Sequence, residues 1–227
     1  MDNMVLETVV LWIVIVLALL MVMVLVRIAT MVTASLPEEE LPYYIGKLKD
    51  FLSVKWRSYL IAFVGLAVVG NVMYYRDQVG LLDIANILAC LSLLIVVAWT
   101  DLKYKIIPNK IMVLGLGICL GLLVLKCIVE NARMCLVSSG IGALAMVVIT
   151  MMCRLLNPKN IGFGDVKLLS VLGLFLGAEN MFQAGFAMMV LMFVACVVLL
   201  LMKKVSRESE LPLAPFALGG VLMMVLL

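Results

Sequence analysis

The sequence contains no histidine. That absence removes a Ser-His-Asp triad, a Ser-His intramembrane dyad, an HExxH zinc protease and any His-ligated metal centre. Six cysteines are present, at positions 90, 119, 127, 135, 153 and 196, but no two are spaced as CxxC. A zinc ribbon or a similar four-cysteine cluster therefore lacks its ligand spacing, and no metal or other cofactor is expected. Charge is scarce too: 14% of residues are Asp, Glu, Lys or Arg, against about 25% in an average soluble domain. A net charge of +3 is too small to point to nucleic acid, and no nucleic-acid partner is expected.

Apolar residues take the place of the missing polar ones. Of 227 residues, 66% are hydrophobic, where soluble domains carry roughly 45–50%. A soluble core of this size cannot hide that much apolar surface, so the bilayer is the expected solvent and partner. The chain reads as an all-α polytopic membrane protein forming one membrane-embedded domain over 1–227. Its start, Met1-Asp2-Asn3-Met4, is acidic and runs into a long apolar stretch. A cleaved signal peptide has a basic start and a shorter apolar region, so a retained first span is expected.

At roughly 20 residues per helical crossing, about eight transmembrane helices are predicted, near 5–26, 59–75, 84–100, 111–128, 135–153, 167–182, 184–202 and 211–227. The sixth and seventh are separated by a short turn over 178–183 in this reading. Reading 167–202 as one long helix is the competing interpretation. Basic residues favour eight: loops 27–58, 101–110, 154–167 and 203–210 hold all but three of the 17 Lys and Arg residues, the exceptions being Arg76, Lys126 and Arg133. The positive-inside rule then places these four loops in the cytoplasm and both termini outside. Within loop 27–58, the stretch 41–56 mixes Leu48, Phe51 and Leu52 with Lys47, Lys49 and Lys55. An interfacial helix with a basic face toward lipid head groups is expected there.

Carboxylates are costly in a membrane, so those outside solvated loops are informative. Asp101 ends the third predicted span and is followed by Ile107-Pro108-Asn109. Asp165 begins the sixth, in Gly162-Phe163-Gly164-Asp165-Val166-Lys167. Both fall at one membrane level in the predicted topology. Two close carboxylates share a proton, so one can deprotonate a water while the other donates to a peptide carbonyl. Gly162 and Gly164 would let a substrate strand approach the backbone closely. Structural roles stand beside these: Asp165 suits a helix cap, and Asp101 suits pairing with Lys103 or Lys105.

Three segments together resemble the type IV prepilin peptidase family, the bacterial GxGD membrane aspartyl proteases. They are the Asp101 segment with Ile107-Pro108-Asn109, then Gly162-Phe163-Gly164-Asp165-Val166-Lys167-Leu168, then Leu211-Pro212-Leu213-Ala214-Pro215-Phe216-Ala217-Leu218-Gly219-Gly220. The resemblance covers about 85–227. It implies a bundle with a cytoplasm-facing active-site cleft in a bacterial inner membrane. It further implies cleavage of prepilin or pseudopilin leaders after a glycine on the cytoplasmic side, with Asp101 and Asp165 as the catalytic pair. Substrate contacts are implied at Gly162, Phe163, Gly164, Lys167, Pro108 and Pro215, with Lys167 equally suited to a snorkelling, orienting role. Bifunctional members carry a four-cysteine element in the first cytoplasmic loop and also N-methylate the trimmed subunit. Loop 27–58 has no cysteine, so the chain is more similar to short peptidase-only members such as those of Flp/Tad-type pili, and methylation is in doubt.

Rival readings are weaker. A presenilin or signal-peptide-peptidase-like intramembrane protease shares GxGD, but here the third motif reads Pro215-Phe216-Ala217-Leu218 and Asp101 precedes Ile-Pro-Asn. A small transporter would place its acids near the midplane, often within inverted repeats, and no such repeat is found. Among smaller features, Cys127 and Cys135 read as two apolar thiols, with a disulfide as the alternative. Gly115, Gly117, Gly121, Gly140 and Gly142 suit close helix contacts, and Asn71 and Asn86 suit hydrogen bonds between helices.

Overall fold

A computed structural model describes residues 2–34, 56–77, 79–131, 133–156, 162–202 and 211–227. Every regular element among them is helical: α1 Asp2–Ala34, α2 Trp56–Asp77, α3 Leu81–Tyr104, α4 Asn109–Val129, α5 Arg133–Leu156, α6 Phe163–Leu201 and α7 Ala214–Leu226. Five contain stretches long and apolar enough to cross a membrane, namely Glu7–Ala29, Leu81–Leu102, Asn109–Val129, Arg133–Leu156 and Phe163–Leu201. Shorter apolar stretches occupy Ile61–Tyr75 and Ala214–Leu226. The chain is a multi-pass, all-α membrane protein.

The largest departures from the predicted spans are in the first, third and sixth helices. The first helix continues past position 26 to Ala34, because nothing before Pro37 interrupts it. The third runs beyond position 100 to Tyr104 and stops where Lys105 turns left-handed, φ 53° and ψ 34°. Asp101 thus lies inside the last turn of α3 and not beyond it. The predicted spans 167–182 and 184–202 form one helical element without the expected turn over 178–183. Straight, its 39 residues would measure roughly 58 Å, about twice the hydrocarbon thickness. It is divided instead at Gly177, whose φ of 75° and ψ of 176° are non-helical. Only glycine adopts that conformation readily, which is why the break falls there. The expected interfacial helix over 41–56 lies outside the described residues, apart from Trp56.

Helix α3 forms the centre of the bundle. The Leu81–Leu102 span is 61% buried, against 28% or less for the other four long spans. It packs against α1, α2, α4, α6 and α7, through fully buried Ile84, Leu88, Leu93 and Leu94. Its Ser92 hydroxyl donates to the Ala18 carbonyl of α1 at 3.2 Å and to the Leu88 carbonyl at 2.7 Å, so the hydroxyl is not left unpaired in the core.

Backbones approach most closely where α5 meets α6. A Cβ placed on Gly142 would lie 2.5 Å from the Gly173 carbonyl oxygen, and one on Gly173 would lie 2.5 Å from that of Gly142. Small residues permit this contact, and packing is a main force joining helices in lipid. Of the glycines expected at helix contacts, Gly115 is also covered, by Leu93. Gly117, Gly121 and Gly140 have nothing within 4 Å of an added Cβ among the described residues, so no close contact forms there. Asn86 does bond between helices, donating to the Phe175 carbonyl of α6 at 2.6 Å. Asn71, among the described residues, instead donates to the Ala67 carbonyl of its own helix at 2.7 Å. All six cysteines are free thiols, Cys127 and Cys135 included.

Candidate active site

Three segments far apart in sequence meet at one end of the bundle. The first is the end of α3 with the turn after it. Lys105 N–H closes α3 on the Asp101 carbonyl at 2.9 Å, and the chain reaches Pro108, the N-cap of α4. Pro108 is well placed there, since a cap needs a carbonyl and no N–H. Its carbonyl accepts from Ile111 and Met112 at 3.1 and 3.2 Å.

The second segment is the start of α6. Gly162 is the N-cap, and Asp165 occupies the third helical position. The Gly162 N–H donates to Asp165 Oδ2 at 3.3 Å, half of a capping box, with the carboxylate near the positive end of the helix. The capping role foreseen for Asp165 is therefore real, and it coexists with any chemistry. Phe163 opens the helix and is 57% exposed, yet the Arg154 guanidinium of α5 sits 3.5 Å above its ring centroid. A cation over an aromatic face is attractive, and here it joins the two sides of the connection between α5 and α6.

The third segment leads into α7. Ala214 N–H donates to Asp101 Oδ2 at 2.9 Å, across 113 positions of sequence. Asp101 is only 6% exposed and Ala214 is fully buried. A buried carboxylate needs such a partner to remain in a low-dielectric setting. Pro215, expected to touch substrate, is the second residue of α7, in the turn that holds Asp101.

Two contacts tie the Asp165 segment to the Asp101 segment. A Cβ on Gly164 would meet the Ile107 side chain at 3.2 to 3.5 Å, so Ile107 fills that face. Lys167 Nζ donates to Asn109 Oδ1 at 2.8 Å. The structure thus brings all three motifs together and gives each carboxylate its own backbone partner. Ile107 packs on the Gly164 face foreseen for a substrate strand. Gly162 remains open, an added Cβ there meeting nothing closer than 3.6 Å.

Sequence reasoning assigned no role to Ile107, Asn109, Arg154 or Ala214. Ile107, Asn109 and Ala214 lie inside the quoted motifs, so a signal was present without a partner to interpret it. Arg154 gave none beyond its charge. Among the described residues, no group of three or more Cys, Asp or Glu side chains is placed to hold a metal ion.

This convergence coincides with a family match. Residues 87–202 match the type IV leader peptidase family. The chain belongs to that family. The matched region includes Asp101, Asn109, Asp165 and Lys167 and stops short of α7. The chain is also similar to the prepilin leader peptidase/N-methyltransferase of Bacillus subtilis (strain 168), 28% identical over 133 residues. That alignment covers 58% of this chain and 52% of the relative, so the chain spans about half the length of the curated relative it matches. No solved structure matches the chain.

Proposed function

We propose that this protein is an aspartic endopeptidase of the bacterial inner membrane that removes the leader of prepilin or pseudopilin subunits. Cleavage follows a glycine on the cytoplasmic side, where the basic loops lie, and both chain termini face outward. The observation that carries this reading is the meeting of the Asp101, Asp165 and Pro215 segments at one end of the bundle, within a member of the leader peptidase family.

The two aspartates act on a water. One carboxylate takes a proton from the water as its oxygen attacks the carbonyl carbon of the scissile peptide. The other carboxyl donates its proton to the carbonyl oxygen. The tetrahedral intermediate then collapses as the nitrogen gains a proton and the C–N bond breaks. No covalent enzyme intermediate forms, and neither histidine nor serine is used. The leader lies extended near Gly162, the open side of the Asp165 segment, while the substrate's apolar helix remains in the bilayer. Phe163, Gly164, Lys167 and Pro108 shape this surface, with Lys167 held by Asn109. Peptidase activity alone is proposed, because loop 27–58 carries no cysteine.

Co-expression with candidate prepilins tests the proposal. At matched membrane levels, the unmodified chain is expected to remove the leader after glycine, located by intact mass, while Asp101→Asn and Asp165→Asn leave it whole. Cleavage by either variant at the normal rate would show that aspartate to be structural.

A further inference from the structure

The prolines at the entrance to α7 do more than start a helix. The segment reads Leu211-Pro212-Leu213-Ala214-Pro215-Phe216. α7 begins at Ala214, and its N-cap, Leu213, makes no side-chain cap bond. Every α-helix leaves the N–H groups of its first turn without partners inside the helix. Here those donors are few. Proline has no N–H, and the Phe216 N–H already bonds to the Leu213 carbonyl at 3.1 Å. Between Pro212 and Pro215, only Leu213 and Ala214 retain a main-chain N–H. The Ala214 N–H donates to Asp101 Oδ2 at 2.9 Å. With Ala214 fully buried and Asp101 6% exposed, water does not compete for this contact. Charge-assisted hydrogen bonds are the strong ones, more so in a low-dielectric setting.

We infer that the Pro212–Pro215 element is a main-chain cradle that holds Asp101 through the Ala214 N–H, in which the prolines are positioning residues for the proposed catalytic pair. The inference rests on reading Asp101 as catalytic. The prolines work by subtraction and by stiffness. They remove the neighbouring donors that would compete for the carboxylate. They also fix φ on either side of the two donors that remain. The acceptor that α7 lacks at its own N-cap is supplied by α3, so placing the helix and placing the carboxylate are one event.

The direct test replaces Ala214 by lactic acid through nonsense suppression, exchanging the N–H for an ester oxygen with the side chain unchanged. The same exchange at Ala217, whose N–H bonds within α7 to the Leu213 carbonyl at 3.1 Å, is the control. The ester at 214 is expected to lower kcat on a prepilin-type substrate about 10- to 100-fold, with KM unchanged. It also moves the acidic limb of the pH–kcat profile upward, since a carboxylate that loses a donor holds its proton to higher pH. The ester at 217 does neither. Pro215→Ala gives a smaller change of the same kind. If it lowers only thermal stability and keeps the normal pH profile, the proline is structural and the positioning role is overturned. An ester at 214 with unaltered kcat and profile, or one matched by the ester at 217, overturns the cradle.

A second readout needs no turnover. Dicyclohexylcarbodiimide labels protonated carboxyl groups in membranes, and peptide mass reports labelling of Asp101 across pH. The ester at 214 extends labelling to higher pH if the cradle exists, and unchanged labelling overturns it. A chain that cleaves no prepilin yet shows the extended labelling refutes the peptidase reading while leaving the cradle standing.

Discussion

Substituting Gly173 by alanine asks whether the pairing of α5 and α6 sets the position of the helix that carries Asp165. A Cβ at Gly173 falls 2.5 Å from the Gly142 carbonyl oxygen, 2.7 Å from its carbon and 2.9 Å from the Ala143 nitrogen. All three are backbone atoms, so no side-chain rotation relieves the overlap. Carbon and oxygen approach to about 3.4 Å in close helix contacts, so α5 and α6 must part by about 0.9 Å. Parting forfeits contacts along the whole interface, and overpacking typically costs about 1–3 kcal/mol. The backbone origin of this overlap places Gly173→Ala toward the upper end, about 2–3 kcal/mol. Gly142→Ala, whose Cβ would lie 2.5 Å from the Gly173 oxygen and 2.8 Å from the Gly177 carbon, is expected to cost as much. The double variant costs less than the sum, because the separation forced by one accommodates the other. Gly140→Ala has nothing within 4 Å and is expected to be neutral or stabilising by up to about 1 kcal/mol. Thermal unfolding in lipid nanodiscs is read by a thiol-reactive dye reaching buried Cys90 and Cys119. The midpoint should fall by roughly 5–10 °C for Gly173→Ala, with slower prepilin cleavage. Equal midpoints for Gly173→Ala and Gly140→Ala would refute the reasoning.

Two further outcomes follow from the same geometry. Gly164→Val is expected to cut prepilin cleavage at least about tenfold while the chain still inserts, because the new methyls displace Ile107, already 3.2 Å from an added Cβ; normal turnover at matched membrane levels would remove that contact from the site. Gly177→Ala places a side chain at φ 75° and ψ 176°, with its Cβ 2.9 Å from Ser138 Oγ. It is expected to destabilise by about 1–3 kcal/mol, and an unchanged unfolding midpoint would count against a break at that residue.

Much of the fold was legible because hydropathy and length act locally. A long apolar run declares a membrane helix whatever its neighbours, and the predicted spans fall on seven helices among the described residues, two of them on the single element α6. Helix ends were less legible. The stop after Tyr104 depends on Lys105 adopting a left-handed conformation, which a lysine does not announce. The break in α6 was foreseen as a turn over 178–183 but falls at Gly177. There the Ala178 N–H finds the Ser138 hydroxyl of α5 at 3.2 Å, a partner 40 positions away. A glycine able to bend is visible in sequence; the neighbour that makes bending tolerable is not.

The sequence alone determined that this chain lives in a bilayer. It also isolated two carboxylates at helix ends and a proline-framed third motif, and it removed histidine-based chemistry. These conclusions need only residue type and spacing. Only the tertiary structure decided what those residues touch. It gave Asp101 to Ala214 across 113 positions and Lys167 to Asn109 across 58. It packed Ile107 against Gly164 and left Gly162 open. The physical reason is that a hydrogen bond or a backbone contact is decided within tenths of an ångström between atoms distant in the chain. Apolar periodicity fixes which face of a helix is buried, but not the rotation and height at which two buried faces meet.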